Sequence, residues 1–423
     1  MGKIGLFPFV SPALNWTMKK LGFQKRYNKY PEHVIFGDFF KGKFFKKKTP
    51  GKSVLFLMTS GVDDTATFRN LMLSKYFQDK GYTPSFLVCD KVFSVCNRDK
   101  IFKSRGPFFC YECYNGHKYI ERTSGLETTY MSSLRSKGVN ENFEKEEASI
   151  DVLKNIDACI NYEYKGLRIG EMTKRSVLYY LTQGLFFNNE RELTIYKKYL
   201  KSSVLFSLIF EEVLALKKDL GFLILNNGQL SFDLIAAKMV RNRGIDFITQ
   251  ETFEAPNSWL YRKNGAAIEL TWEKEWDKFN KGVKLSESQL GDISAFMRGR
   301  QTGNNMIVPM NDHRLPLVLN DKKGRYVCLF TNYTWDTTVL DRNSIFSSMN
   351  EWLLETIDFW IKEVEDIKLI IRAHPAEVKL ISPSAEYIRD IIKSRLPNEK
   401  IIFFDSTDKI NSYEIISKID YGV

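Results

Sequence analysis

Short apolar runs separated by polar turns set the pattern along most of this chain. Val54-Leu-Phe-Leu-Met58 is five consecutive apolar residues with no alternation, as in a strand covered on both faces. Thr59-Ser-Gly-Val-Asp-Asp64 is a turn. Thr65 to Lys80 then carries Phe68, Leu71, Leu73 and Tyr76 among the apolar positions of a helix, which Gly81 closes. Pro84 to Val88 is the second strand, so strand, turn, helix and strand follow in the order that opens a Rossmann-like domain. Residues 130–148 are polar and charged and read as a mobile connection. Ile150 to Cys159 is a helix candidate, and Glu190 to Leu220 reads as one long helix ended by Gly221. The glycines of Tyr164-Lys-Gly-Leu-Arg-Ile-Gly170 predict close backbone packing or approach to a ligand.

A further strand–helix–strand unit follows. Phe222 to Leu225 ends in Asn226-Asn-Gly228, Phe232 to Arg243 is a helix stopped by Gly244, and Asp246 to Thr249 ends at Gln250 and Glu251. Residues 270–325 are irregular apart from a helix over Ser286 to Arg298. Tyr326 to Thr331 is a buried strand ending in Asn332-Tyr-Thr-Trp-Asp336. Ser344 is placed to cap a helix whose stripe is Ile345, Met349, Trp352, Leu353, Ile357, Trp360 and Val364. That stripe reads as core. Leu369 to Ile371 is another buried strand, ending in Arg372, His374, Pro375 and Glu377. A helix over Ala385 to Leu396, a strand over Ile401 to Phe404, a short helix over Asn411 to Lys418 and a strand from Ile419 to Val423 complete the pattern. That last strand has no helix after it to cover it, so the expectation is that the natural chain continues. The fold class expected is α/β, with two Rossmann-like domains facing a central cleft. Residues 1–50 form a basic, aromatic segment and 51–300 the first domain, with a cysteine-containing insertion at 89–117. Residues 301–325 are a linker, and 326–423 an incomplete second domain.

Composition narrows the class of partner. With 423 residues the chain has room for two to three domains. The formal net charge is +11, which suits an anionic partner. Phe39-Phe-Lys-Gly-Lys-Phe-Phe-Lys-Lys-Lys48 mixes bulky apolar groups with cations, a pattern able to dock on an anionic membrane surface. The longest strongly apolar run, Val204 to Phe210, is far too short to span a bilayer, and the N-terminus lacks a basic region followed by an uninterrupted apolar segment. The expected location is cytoplasmic, at the inner face of the membrane. The basic residues are scattered rather than striped and no nucleic-acid-binding motif stands out, which disfavours nucleic acid as a partner. Gly51-Lys-Ser53 precedes a strand instead of following one and lacks the upstream glycine of a phosphate loop.

Four cysteines cluster at Cys89, Cys96, Cys110 and Cys113, spaced C-x6-C-x13-C-x2-C. The last pair suits a metal knuckle, so a structural zinc held by the four thiolates, with His117 as a substitute ligand, is set against four buried core cysteines. Cys159 and Cys328 lie in apolar surroundings and read as core.

Several spread motifs carry a resemblance. They are Tyr164-x-Gly166-x3-Gly170, Asn227-Gly228 after a strand, Phe330-Thr-Asn-x-x-Trp-Asp336, Met349-x-x-Trp-Leu-Leu-Glu-Thr-Ile357, Arg372-x-His374-Pro-Ala-Glu377 and Asn411-Ser-Tyr413. Over roughly residues 52–423 the chain resembles the capsule or surface-polysaccharide glycosyltransferases of the two-Rossmann (GT-B) type. The Ser/Thr-rich turn and Glu that such enzymes carry after the strand at which this chain stops are missing. The resemblance implies a nucleotide-sugar donor, a polysaccharide or glycolipid acceptor and no metal for transfer, and the chain has no Asp-x-Asp pair. Arg372 and His374 are expected to stabilise the phosphate leaving group. Asn332, Asp336, Glu377 and Ser412 are expected on the donor side, with Asn227 and Gly228 on the acceptor side. Asp64 and Glu251 are the candidate general bases, each with an alternative reading, as helix cap and solvated loop residue respectively. Two other functions stay open: a zinc-dependent nucleic-acid-binding protein, and a polyol-phosphate transferase or sugar-nucleotide epimerase of the same fold.

Overall fold

The computed structural model describes residues 51–61, 64–96, 109–252, 259–269, 276–277, 282, 284–302, 324–379 and 383–422. The basic segment 1–50 and most of the linker lie outside them. The first sheet is built from β1 (Ser53–Met58), β2 (Thr83–Val88), β3 (Glu127–Tyr130), β4 (Leu220–Ile224), β5 (Asp246–Thr252) and β6 (Trp259–Lys263) in the order β3-β2-β1-β4-β5-β6. All pairs are parallel except β5–β6. A second sheet, wholly parallel, has the order β10-β7-β8-β9, from β7 (Arg325–Phe330), β8 (Ile367–Arg372), β9 (Ile401–Phe404) and β10 (Tyr421–Gly422). The chain is α/β.

The helices, in chain order, are α1 (Asp64–Asp79), α2 (Phe109–Ser124), α3 (Lys137–Asp151), α4 (Ile156–Ile160), α5 (Ile169–Leu181), α6 (Glu190–Leu216), α7 (Ser231–Arg241), α8 (Glu287–Thr302), α9 (Met349–Glu363), α10 (Ala376–Lys379), α11 (Ile388–Ile391) and α12 (Ser412–Ile416). Both faces of β1 are covered, as its unbroken apolar run demands. Leu55 and Leu57 point into a core shared with α5, α6 and α7, while Val54, Phe56 and Met58 pack with Phe68, Leu71 and Ile120 of α1 and α2. In the second sheet Leu369 and Ile371 meet Leu353 and Ile357 of α9, and Ile370 on the opposite face meets Ile415 of α12.

Local chemistry moves several expected boundaries. Residues 130–148 are not a loose connection: β3 runs into a 3-10 turn and then into α3, capped by Ser136, whose hydroxyl accepts from Val139 N–H. The long helix stops at Leu216, and Gly221 lies inside β4. Asn189 and Glu192 start that helix with a reciprocal capping box. Ser348, not Ser344, caps α9, accepting from Glu351 N–H at 3.0 Å, so Ile345 falls outside the helix and stands exposed. The helix expected over 385–396 shrinks to α11 and a 3-10 turn. Gly170 packs as its motif predicted: a Cβ there would lie 2.1 Å from the Cys159 carbonyl oxygen.

Candidate functional site

Ligands of open α/β sheets sit beyond the strands' carboxyl ends, where the strand order reverses. In the first sheet that point lies between β1 and β4. Beyond β4 comes Asn226-Asn-Gly-Gln229. Gly228 has φ +74°, a conformation costly for other residues, and a Cβ there would lie 2.7 Å from Thr249 Cγ2. Its N–H donates to Asp233 Oδ2 at 3.1 Å, and Asn227 Oδ1 accepts from Gln229 N–H at 3.1 Å. Burial pushes the Asp233 carboxyl up to about 6, opposed by that Gly228 N–H. Arg69 of α1 donates from Nη2 to Asn226 Oδ1 at 2.8 Å. Glu251 stands beside this loop on β5, within the sheet rather than past its end, and pairs with Leu260. Burial raises its carboxyl; Arg69 and the Asn227 amide pull it down, and Asp336 of the second unit pushes it up again.

The second sheet reverses order at β7, and the loop after it carries the other half. Asn332 Oδ1 accepts from Tyr333 N–H at 2.9 Å, its Nδ2 donates to Thr338 Oγ1 at 3.0 Å, and Asp336 Oδ1 accepts from Thr338 N–H at 2.8 Å. His374 follows β8. Its Nδ1 accepts from Ala376 N–H at 3.0 Å, so the neutral ring carries its proton on Nε2 and can donate from there. Burial holds the imidazole below its ordinary value, with Arg372 acting the same way and Asp336 opposing. The Tyr333 ring meets His374 edge-on at 5.6 Å.

Arg372 and Glu377 lie underneath this surface. Arg372 is 2% exposed. Its Nη1 donates to the Asp405 carbonyl, and its Nη2 faces the carbonyls of Asp408 at 3.2 Å and Ile410 at 3.5 Å. The guanidinium thus holds the loop after β9. Glu377 Oε1 accepts from Ile388 N–H at 2.9 Å, and burial pushes its carboxyl up to about 7.

The two halves touch. Gln229 is fully buried, and its Oε1 accepts from Arg175 Nη1 at 2.8 Å and from Arg342 Nη2 of the loop after β7 at 2.7 Å. Lys174 of α5 pairs with Asp341 at 2.7 Å, Tyr179 meets Trp335 edge-on at 5.4 Å, and Ala385 N–H donates to the Thr182 carbonyl at 2.8 Å. Glu386 Oε2 accepts from Gly184 N–H and from Thr334 Oγ1.

Of the residues singled out in the sequence, Asn227 and Gly228 share the loop after β4, Asn332 and Asp336 share the loop after β7, and the charge of Asp336 acts on both Glu251 and His374. Asp64 opens α1, but its side chain lies outside the described residues. Ser412 is the first residue of α12, which Asn411 caps. Cys110 and Cys113 sit on helix α2 rather than in a knuckle. Cys113 Sγ accepts from Gly61 N–H at 2.9 Å and lies 3.7 Å from His117 Nε2. Burial, together with Cys113 and Cys96, pushes the Cys89 thiol well up. Among the described residues no three His, Cys, Asp or Glu side chains form a metal-holding group. Sequence reasoning missed Arg69, Arg175, Gln229, Tyr333 and Arg342. Gln229 carried a signal in its place directly after Asn-Gly, and Tyr333 in its place within the strand-end stretch Asn332 to Asp336.

Neither a protein-family model nor a curated protein matches the chain. Among solved structures, AlbC, a cyclodipeptide synthase from Streptomyces noursei, overlaps 44% of this chain and 86% of its own at 11% identity and a TM-score of 0.23. A UDP-N-acetylglucosamine 2-epimerase from Listeria monocytogenes overlaps 88% and 73% at 9% identity and a TM-score of 0.22. Tyrosyl-tRNA synthetase from Leishmania major overlaps 88% and 66% at 8% identity and a TM-score of 0.26. Overlaps this loose carry no functional argument. No helix among the described residues is long and apolar enough to cross a membrane.

Proposed function

We propose that the chain is a glycosyltransferase of the two-Rossmann type, using a nucleotide-sugar donor and needing no metal for transfer. One observation supports the reading: Asp336, in the loop after β7, acts electrostatically both on Glu251 of β5 in the first unit and on His374 after β8 in the second. A half-buried carboxylate with a raised pKa suits a general base, and a neutral imidazole with its proton on Nε2 suits a donor to a departing phosphate. In the step, the acceptor hydroxyl oxygen bonds to the anomeric carbon while the bond from that carbon to the phosphate oxygen breaks. The bonding pair leaves with the phosphate, which His374 Nε2–H stabilises, and the hydroxyl proton passes to Glu251. Asn332 and Asp336 shape the donor side, and Asn227 and Gly228 the acceptor side. Arg372 acts through the 405–410 loop. The acceptor is a surface polysaccharide or glycolipid, presented where segment 39–48 meets an anionic membrane.

The test is turnover of UDP-, GDP- and CMP-sugars, by transfer or hydrolysis, in the wild-type chain, Glu251→Gln and His374→Ala. Loss of a general base costs about 100-fold or more, and loss of His374 about tenfold or more. Equal turnover in all three proteins would remove the proposal.

A further inference from the structure

A cavity of about 80 Å³ opens between the two units, lined by α5 and residues 184–186 on one side and by residues from 334 to 350 on the other. By that measure it has room for roughly five or more waters, close to the bulk of one pyranose ring. Three features of its wall define what it would hold. Leu178, Leu185 and Phe186 of the first unit, with Met349 opposite, give it an apolar side. Thr334, Asn343, Ser347 and Asn350 of the second unit give it polar groups: the two hydroxyls donate to Glu386 and Glu351 and keep lone pairs to accept, and each amide, with one N–H already bonded, keeps a second N–H and its oxygen. The one cation of its wall, Lys174, is neutralised by Asp341 at 2.7 Å across the gap, so the wall has no excess charge to grip a phosphate. The floor is a close backbone approach: a Cβ on Gly184 would stand 2.9 Å from Thr334 Cβ, so a larger residue would fill the space or force the units apart.

We propose that this cavity is a binding site for a neutral sugar ring, a residue of the acceptor glycan behind its reacting end. The apolar side would take the C–H face of the ring, and the amides and hydroxyls its hydroxyl groups. This deepens the glycosyltransferase reading and rests on it for the word acceptor; the sugar site itself rests on the cavity. Because its two sides come from different units, occupancy would also hold those units together.

The test uses saturation-transfer NMR on the full chain with D-glucose, D-galactose, N-acetyl-D-glucosamine and D-mannose. At least one sugar is expected to take up saturation from the wild-type protein. Leu185→Trp, at a position 37% exposed, fills the cavity and is expected to lower that transfer at least fivefold. Asn343→Leu, at an exposed loop position, is expected to weaken it about threefold or more and serves if the tryptophan variant does not fold. No transfer to any of the four sugars, or equal transfer in wild type and both variants, overturns the proposal. UDP, GDP and CMP are titrated onto the wild-type chain separately. Sugar binding without nucleotide binding contradicts the glycosyltransferase reading and leaves the sugar site standing, whereas nucleotide binding without sugar binding does the reverse.

Discussion

Arg372 gives the sharpest single perturbation, because two roles for it predict opposite outcomes. Its fork faces three carbonyls of the loop after β9, those of Asp405, Asp408 and Ile410. Hydrogen bonds from a charged donor contribute about 1.5–3 kcal/mol each. The contact to Ile410, at 3.5 Å, is too long to count for much. Two bonds then give about 3–6 kcal/mol gross. Arg372→Met also removes a buried cation, whose pKa burial already lowers, and that relief offsets part of the loss. The net expectation is a loss of about 2–3 kcal/mol, read from urea unfolding followed by tryptophan fluorescence, with faster amide exchange over residues 405–410. Nucleotide affinity should fall as well, as the loop loosens. Were Arg372 itself the phosphate ligand, stability would stay within about 0.5 kcal/mol of wild type and binding alone would collapse. That result would refute the loop-holding role.

Further predictions concern buried groups and close packing in both units. Burial holds His117 down to about 3, while the unfolded chain protonates it near its ordinary 6.5. The unfolded state therefore binds more protons between those values, so stability rises with pH across that window and is lost as pH falls through it. His117→Gln should show a smaller drop in urea midpoint from pH 7.5 to pH 5 than wild type; equal drops would count against the buried neutral imidazole. Glu377 behaves oppositely: its folded value of about 7 stands above its ordinary 4.5, so its contribution is full below 4.5 and lost as pH rises through 7. Glu377→Gln should flatten that loss between pH 4.5 and 8, and an unchanged profile would contradict it. Gly116→Ala would set a Cβ 1.7 Å from the Gly61 carbonyl oxygen, so it should cost at least about 2 kcal/mol. Gly138→Ala in α3, where a Cβ meets only Ser136 Oγ at 4.0 Å, should instead gain about 0.5 kcal/mol; a matching loss in the two would show that crowding is not the cause.

The sheets were readable in the sequence because their strands are covered on both faces. Val54 to Met58 and Leu369 to Ile371 have no choice but burial, and an unbroken apolar run announces it. Helix α3 was hidden because only Val139 and Ile150 of its fifteen residues are buried, too few to mark a periodicity. The start of α9 was misplaced because Ser344 and Ser348 are equally good caps on paper, and the hydroxyl of Ser348 bonds Glu351 N–H. The candidate site was legible as strand ends, since polar residues that interrupt an apolar run stand out. Its wiring was not. Whether Arg372 points to solvent or into the 405–410 loop depends on a strand more than thirty residues away. The Arg175–Gln229–Arg342 contact joins residues from both units. Neither leaves a local pattern.

Whether the loops after the strands of the two sheets form one nucleotide-sugar site is decided by calorimetric titration of UDP, GDP, CDP and CMP onto the full chain, His374→Ala and Glu251→Gln. At least one nucleotide is expected to bind wild type; His374→Ala is expected to weaken it about tenfold or more, and Glu251→Gln, proposed to act on the acceptor, to shift it less than about twofold. Binding of none of the four, or equal affinity in wild type and His374→Ala, contradicts such a site.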